Sequence, residues 1–133
     1  MSAVFVNEIH YNNVGSDVAE GVEVVGTAGS SLDGFAIILY NGANNQRYGS
    51  TVHLSGTIPD EGAGIGALEF SVDGLQNGHP DGLALVDASA AVRQFLSYGG
   101  TITAANGPAQ GMTSADIVVT ETSSTPVGHS LQL

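Results

Sequence analysis

The sequence predicts an all-β domain, a sandwich or barrel of short strands, and three observations carry that prediction. Nineteen glycines recur at short intervals between apolar runs. No stretch of about a dozen residues keeps an apolar stripe at helical spacing without meeting a glycine or a proline. Nine short strand-like runs, bounded by turn residues, follow one another at the spacing of a sandwich or barrel.

The first run is Ala3 to Ile9. In the second, Glu20 to Val25, Val22 and Val24 share one face and Glu23 the other, so one side of the strand is wet. The third, Gly34 to Asn41, does not alternate: Phe35, Ile37 and Leu39 point one way, Ala36, Ile38 and Tyr40 the other. That pattern predicts a central strand covered on both faces, the middle of the core. In the fourth, Arg47 to Leu54, Tyr48, Val52 and Leu54 lie opposite Arg47, Thr51 and His53. The fifth, sixth and seventh are Gly66 to Val72, Leu83 to Asp87 and Val92 to Tyr98. The last two are joined by a hairpin, "DASAAV", that departs from the usual Asn-Gly type. Asp116 to Thr120 is the eighth, the Ser/Thr-rich "TETSSTPVG" reads as a connection, and "HSLQL" is the last. Two loops are the places to look for binding. Gly99 to Asp116 exceeds the length at which loops are usually functional or mobile, and Ile58 to Gly66 is rich in glycine and acid.

At 133 residues the chain fits one domain with a real core. Cysteine is absent, which removes disulfides and thiolate metal sites. The longest apolar run, "FAIILY", is far short of the roughly 20 residues that cross a bilayer, and no basic region precedes an apolar stretch at the N-terminus. Thirteen acidic residues face only Arg47 and Arg93, for a formal charge of −11. Direct nucleic-acid binding is disfavoured, because such affinity comes from Lys and Arg displacing counterions. The acidity suits a solvated surface in a salty or calcium-containing medium, a reading favoured over an acidic surface made for a basic partner.

Carboxylates crowd the opening stretch "VFVNEIHYNNVGSDVAEGVEVVG", where Glu8, Asp17, Glu20 and Glu23 fall around a polar turn. Asp17 and Glu20, with the carbonyls of Asn12 and Asn13, offer the hard oxygens that calcium takes in sets of six to eight. Asp60 in "PDEG" and Asp81 in "NGHPDG" would join them if loops from one end of a sandwich converged. The candidate calcium ligands are therefore Asp17, Glu20, Asp60 and Asp81. Framework chemistry accounts for the same residues. Asp17 closes a turn, Glu8 or Glu20 accepts loop amides, and the Pro-Asp-Gly sequences form turns unaided. The spacing lacks the alternating Asp/Asn pattern of a calcium loop, and framework is the favoured reading.

Other chemistry finds little footing. His10, His53, His79 and His129 are scattered without zinc spacing and read as surface or turn histidines. No Gly-x-Ser-x-Gly elbow is present, and "GAGIG" lacks the spacing and context of a dinucleotide loop. Tyr11, Tyr40, Tyr48 and Tyr98 could stack a sugar, but strand-borne tyrosines more often close core edges, and tryptophan is absent.

The segments "VNEIHYNN", "EGVEVVG", "SLDGFAIILYNG", "GTIPDEGAGIGALEF", "GLQNGHPDGLALVD", "VRQFLSYGG" and "GMTSADI" occur in the order expected of the bacterial lamin-tail domain family, which the chain resembles over nearly its whole length. The resemblance implies an immunoglobulin-like β-sandwich of about seven to nine short strands. It also implies a non-catalytic binding, tethering or protein-interaction module of a larger secreted or surface protein, often beside a nuclease- or phosphatase-type hydrolase domain. Animal relatives form the tails of nuclear lamins. The family's framework positions fall on Asn7, Glu8, Glu20, Glu23, Leu32, Gly34, Asp81, Gly82 and Asp87. Two positions depart from its pattern: Gly21 stands where an aromatic is usual, which would remove a core-sized side chain, and Phe35 replaces a tryptophan. The chain stops at "SLQL" where relatives continue, so an excised domain with Met1-Ser2 as an expression start is expected, its unfinished edge open to self-association. A module of this kind is expected to require no cofactor, to accept calcium optionally, and to have as partners the neighbouring domains or another protein or cell surface. The alternatives are a self-associating structural module and, from another class and less favoured, a small metal-dependent hydrolase.

Overall fold

The period-2 placement of apolar residues organises the computed structural model, which describes residues 4–10, 20–72, 75, 80–117 and 131–132, into nine strands and no helix. They are β1 (Val4–His10), β2 (Gly21–Thr27), β3 (Ala36–Asn41), β4 (Gln46–His53), β5 (Ile65–Ser71), β6 (Asp81–Val86), β7 (Val92–Tyr98), β8 (Ala115–Asp116) and β9 (Leu131–Gln132). One sheet has the order β5-β2-β1-β9, the other β4-β3-β6-β7-β8. In immunoglobulin lettering β1, β2 and β5 occupy places A, B and E, and β3, β4, β6 and β7 occupy C, C′, F and G. The fold is an immunoglobulin-like β-sandwich, and every strand pair is antiparallel except β7 with β8. Among the described residues no helix is long and apolar enough to cross a membrane.

Between the sheets, Val6 and Ile9 of β1 and Val22 and Val24 of β2 meet Ile37 and Leu39 of β3 and Leu83 and Leu85 of β6, all buried. Tyr48 and Val52 pack against the same cluster from β4, on the face the alternation assigned them. β3 is central, flanked by β4 and β6, and covered on both faces as its unbroken apolar run predicts. Ile38 and Tyr40 on its other face join Ala84, Val86 and Phe95 in a second cluster.

The cover of that second face is the segment expected to be a functional or mobile loop. Ile102, Ala104 and Ala109 are buried in it, so residues 99–114 serve as packing. The Tyr40 hydroxyl fixes them from below, donating to the Asn106 carbonyl at 2.9 Å and accepting the Ala109 N–H at 3.1 Å. A Cβ at Gly107, where φ is +70°, would meet that hydroxyl at 2.6 Å. Asn106 Oδ1 accepts the Arg47 N–H at 2.9 Å, and a relay runs from the Ile102 N–H through the Ser114 and Ser97 hydroxyls to the Gly100 carbonyl.

Boundaries differ modestly from expectation. β2 runs on to Thr27, and β8 is confined to Ala115–Asp116, with positions 118–120 and the "TETSSTPVG" connection outside the described residues. The β6–β7 hairpin departs from the Asn-Gly type as expected. Asp87 Oδ1 accepts the Ser89 and Ala91 N–H groups, and Ala90 takes φ +67°.

Tyr40→Phe keeps the ring but leaves the buried Ala109 N–H without its acceptor. Urea unfolding should show a loss of about 1–3 kcal/mol.

Candidate functional site

Register builds the outer face of the β5-β2-β1 sheet. Val22 and Val24 turn inward, so Gly21, Glu23 and Val25 turn outward. On β1 the alternation is interrupted. Val6 lies opposite Val24 and Glu8 opposite Glu23, leaving Asn7 as an inserted residue. A bulge of this kind lets two residues face one, so Val6 and Ile9 both stay in the core while Asn7 and Glu8 reach the outer face. Asn7 Nδ2 donates to Glu23 Oε1 at 3.0 Å.

Glu23 is also directly opposite Glu69 of β5. Three glutamates thus form one cross-strand row, with an oxygen from each within 4.8 Å of the others. Glu8 and Glu23 are half-buried and Glu69 is exposed. The adjoining row is His10, Gly21 and Ser71, and the missing side chain at Gly21 leaves a concavity of about 360 Å³ whose walls include Glu8, His10, Glu20, Glu23, Glu69 and Phe70. Glycine is required there, because a Cβ would collide with the Phe70 carbonyl across the ladder. Position 21 therefore belongs to the outer face, and the expectation that its glycine removes a core side chain is corrected: the core beneath is filled by Val22 and Val24.

The row holds negative charge at a cost. The Asn7 amide pulls the Glu23 pKa down. Burial, a hydrogen bond with Glu8 and the charges of Glu8 and Glu69 together outweigh it, and the pKa is raised above its ordinary 4.5. Glu8 and Glu23 can share a proton, and the row can receive a cationic group from outside.

The predicted calcium ligands do not assemble as one set. Asp17 lies outside the described residues, as do Tyr11, Asn12, Asn13, Asn77, His79 and His129. Glu20 sits at the rim of the concavity, with its carbonyl accepting the Val72 N–H. Asp60 is beyond the far end of the same ladder, in the turn before Ile65, which pairs with Thr27. The ladder from Gly21 to Thr27 separates the two by roughly 20 Å, so Glu20 and Asp60 hold no common ion. Asp60 Oδ1 instead accepts the Gly62 and Gly64 N–H groups at 3.0 and 3.2 Å. Asp81, buried in the other sheet, accepts the Gly42 N–H at 3.1 Å where β3 ends.

His10 is buried at the end of β1, contrary to the surface position expected of it, whereas His53 is exposed. Tyr40 and Tyr98 are core residues and offer no stacking platform. Asp87 is held below the usual carboxylate range by the Ser89 hydroxyl first, then by the Ala91 and Ser89 amides and Arg93, whose guanidinium lies 3.5 Å away. Glu69 was not singled out from sequence. Its signal was the outward place it shares with Glu23 in the alternation, but only the register makes them neighbours. Compared with protein-family models, curated proteins and solved structures, the chain finds no match.

A raised folded-state pKa means that ionised Glu23 destabilises the fold above that pKa, and that the penalty vanishes below the ordinary value of 4.5. Glu23→Gln keeps an acceptor for Asn7 and gives Glu8 a donor. Its melting temperature at pH 7 should exceed wild type by about 1–4 °C, a gain that shrinks as pH falls through the raised pKa and is gone below 4.5. Calcium at millimolar concentration and fixed ionic strength should shift the wild-type melting temperature by less than about 1 °C relative to chelator, because Asp60 and Asp81 already serve backbone amides.

Proposed function

We propose that the chain is a non-catalytic binding or tethering module of a larger secreted or surface protein, of the lamin-tail type, accompanying a nuclease- or phosphatase-type hydrolase. The observation that carries the reading is an asymmetry between the two outer faces. Residues 99–114 seal the β3-β6-β7 face, while the β1-β2-β5 face keeps a carboxylate-lined concavity. Such a face suits contact with cationic groups of a partner, and the formal charge of −11 extends the attraction beyond it. The reading requires no cofactor.

One observation speaks for the rival hydrolase: His10 shares the concavity with Glu8, Glu23 and Glu69, a donor set that a divalent ion accepts. Two assays separate the readings. The isolated chain should give no turnover of bis(4-nitrophenyl) phosphate or 4-nitrophenyl phosphate with calcium, magnesium, manganese or zinc. Labelled chain should be retained on washed bacterial envelopes, and several-fold less when Glu8, Glu23 and Glu69 are all changed to Gln. Turnover that His10→Ala abolishes would overturn the non-catalytic reading, and absence of retention would remove the tethering role.

A further inference from the structure

β5 is the outer strand of its sheet and among the described residues pairs only with β2. Two different uses of its backbone alternate along it. In the register of Gly21 with Ser71, the next pair bonds the Val72 N–H to the Glu20 carbonyl, so the even-numbered residues are the ones bonded to β2. The odd-numbered residues face away. The Ile65 carbonyl accepts the Glu61 N–H at 2.9 Å, and the Ala67 N–H donates to the Glu61 carboxylate at 2.6 Å. Glu61 thus occupies the first part of the edge. Past it, the Ala67 carbonyl, both backbone groups of Glu69 and the Ser71 N–H are without a partner among the described residues.

We propose that this edge, Ala67 to Ser71, takes up an extended segment of a partner protein as a further strand, with Lys or Arg opposite Glu69 and apolar residues on either side of that cation. The inference rests on the binding-module reading and names its partner's chemistry. A residue added opposite Glu69 projects from the outer face beside the Glu69, Glu23 and Glu8 row, at the mouth of the concavity. Its two neighbours project to the other side, against Leu68 and Phe70, which pack on the core but remain partly exposed. The pattern wanted is apolar, basic, apolar.

Charge decides between a basic partner and a second copy. Antiparallel pairing of two copies of the free edge, Ala67 to Ser71, about its centre sets Glu69 against Glu69 and doubles the carboxylate row, and like charges directly opposite are destabilising. The chain cannot relieve this from its own cations: its only two, Arg47 and Arg93, are engaged by Thr51 at 2.6 Å and by Asp87 at 3.5 Å.

The test uses the full chain and a synthetic peptide of about ten residues that alternates valine with threonine around a central lysine, beside a twin carrying glutamate at the centre. Amide exchange followed by NMR should show new protection at Glu69 and Ser71 with the lysine peptide, and binding about tenfold weaker for the glutamate twin. Glu69→Lys should invert that preference. Glu69→Pro removes an N–H that β2 does not use, so it should leave the fold intact and abolish peptide binding. Failure of the lysine peptide to bind at millimolar concentration overturns the proposal, as does binding indifferent to Glu69→Lys or Glu69→Pro. A dimer of the wild-type chain that Glu69→Pro abolishes assigns the edge to a second copy and overturns it equally. If the peptide fails while envelope retention persists, the β5 edge is wrong and the binding-module reading stands; loss of both removes both.

Discussion

β3 and β6 carry apolar side chains on both faces, and a sandwich has only one interior, so half of that apolar surface must find a cover elsewhere. Ile37, Leu39, Leu83 and Leu85 are satisfied by the opposite sheet. Ile38, Tyr40, Ala84 and Val86 are not, and the chain answers with residues 99–114, laid over them through Ile102, Ala104 and Ala109. A loop laid over a sheet brings backbone polar groups with it, and those must be paired. Tyr40 resolves the conflict by presenting a ring to the apolar layer and a hydroxyl to Asn106 and Ala109. Once that face is committed to packing, the opposite outer face is the one that keeps the concavity.

The character of that remaining face follows from one inserted residue. Without the bulge at Asn7, strict alternation would send either Val6 or Ile9 out of the core, since the two are an odd number of residues apart. With it, both stay buried, and Asn7 and Glu8 arrive together beside Glu23. The arrangement is costly, because Glu23 then has a carboxylate opposite it on each side. The Asn7 amide offsets part of that cost, and burial together with the neighbouring carboxylates still leaves the Glu23 pKa raised. Gly21 completes the site by an unrelated route, its lack of a side chain imposed by the Phe70 carbonyl.

These two features explain what could and could not be seen in the sequence. The strands, the wet face of β2 and the double burial of β3 were legible, because burial writes a period directly into "GVEVVG" and "FAIILY". The covering role of 99–114 was not. Its buried residues, Ile102, Ala104 and Ala109, are small or isolated, and the alternation that Ile102 and Ala104 begin is lost in the turns that precede Ala109. The glutamate row was half legible. Glu8 and Glu23 were noticed for their crowding, yet the pairing with Glu69, 46 positions away from Glu23, depends on register, which one sequence does not encode locally. Asp60 and Asp81 stayed ambiguous for the converse reason: in sequence alone an acidic residue beside a turn reads equally as a ligand or as an acceptor of backbone amides, and here both accept such amides.

Open strand edges are hazards that folds blunt with short strands, bulges or charge, and this sandwich uses all three. β8 spans only Ala115–Asp116, with Ile117 already outside the strand, and β4 shifts register opposite Ile37 and Leu39, near Gly49 at φ +65°. β5 is treated differently along its length. Glu61 consumes the first outward groups outright, whereas Glu69 leaves its own free and places a charge beside them. The two carboxylates therefore differ in consequence. The first closes an edge to every strand, and the second closes it to acidic ones only. Specificity is a difference between affinities, so a residue that repels a copy of its own chain and attracts a cation serves both sides of that difference at once.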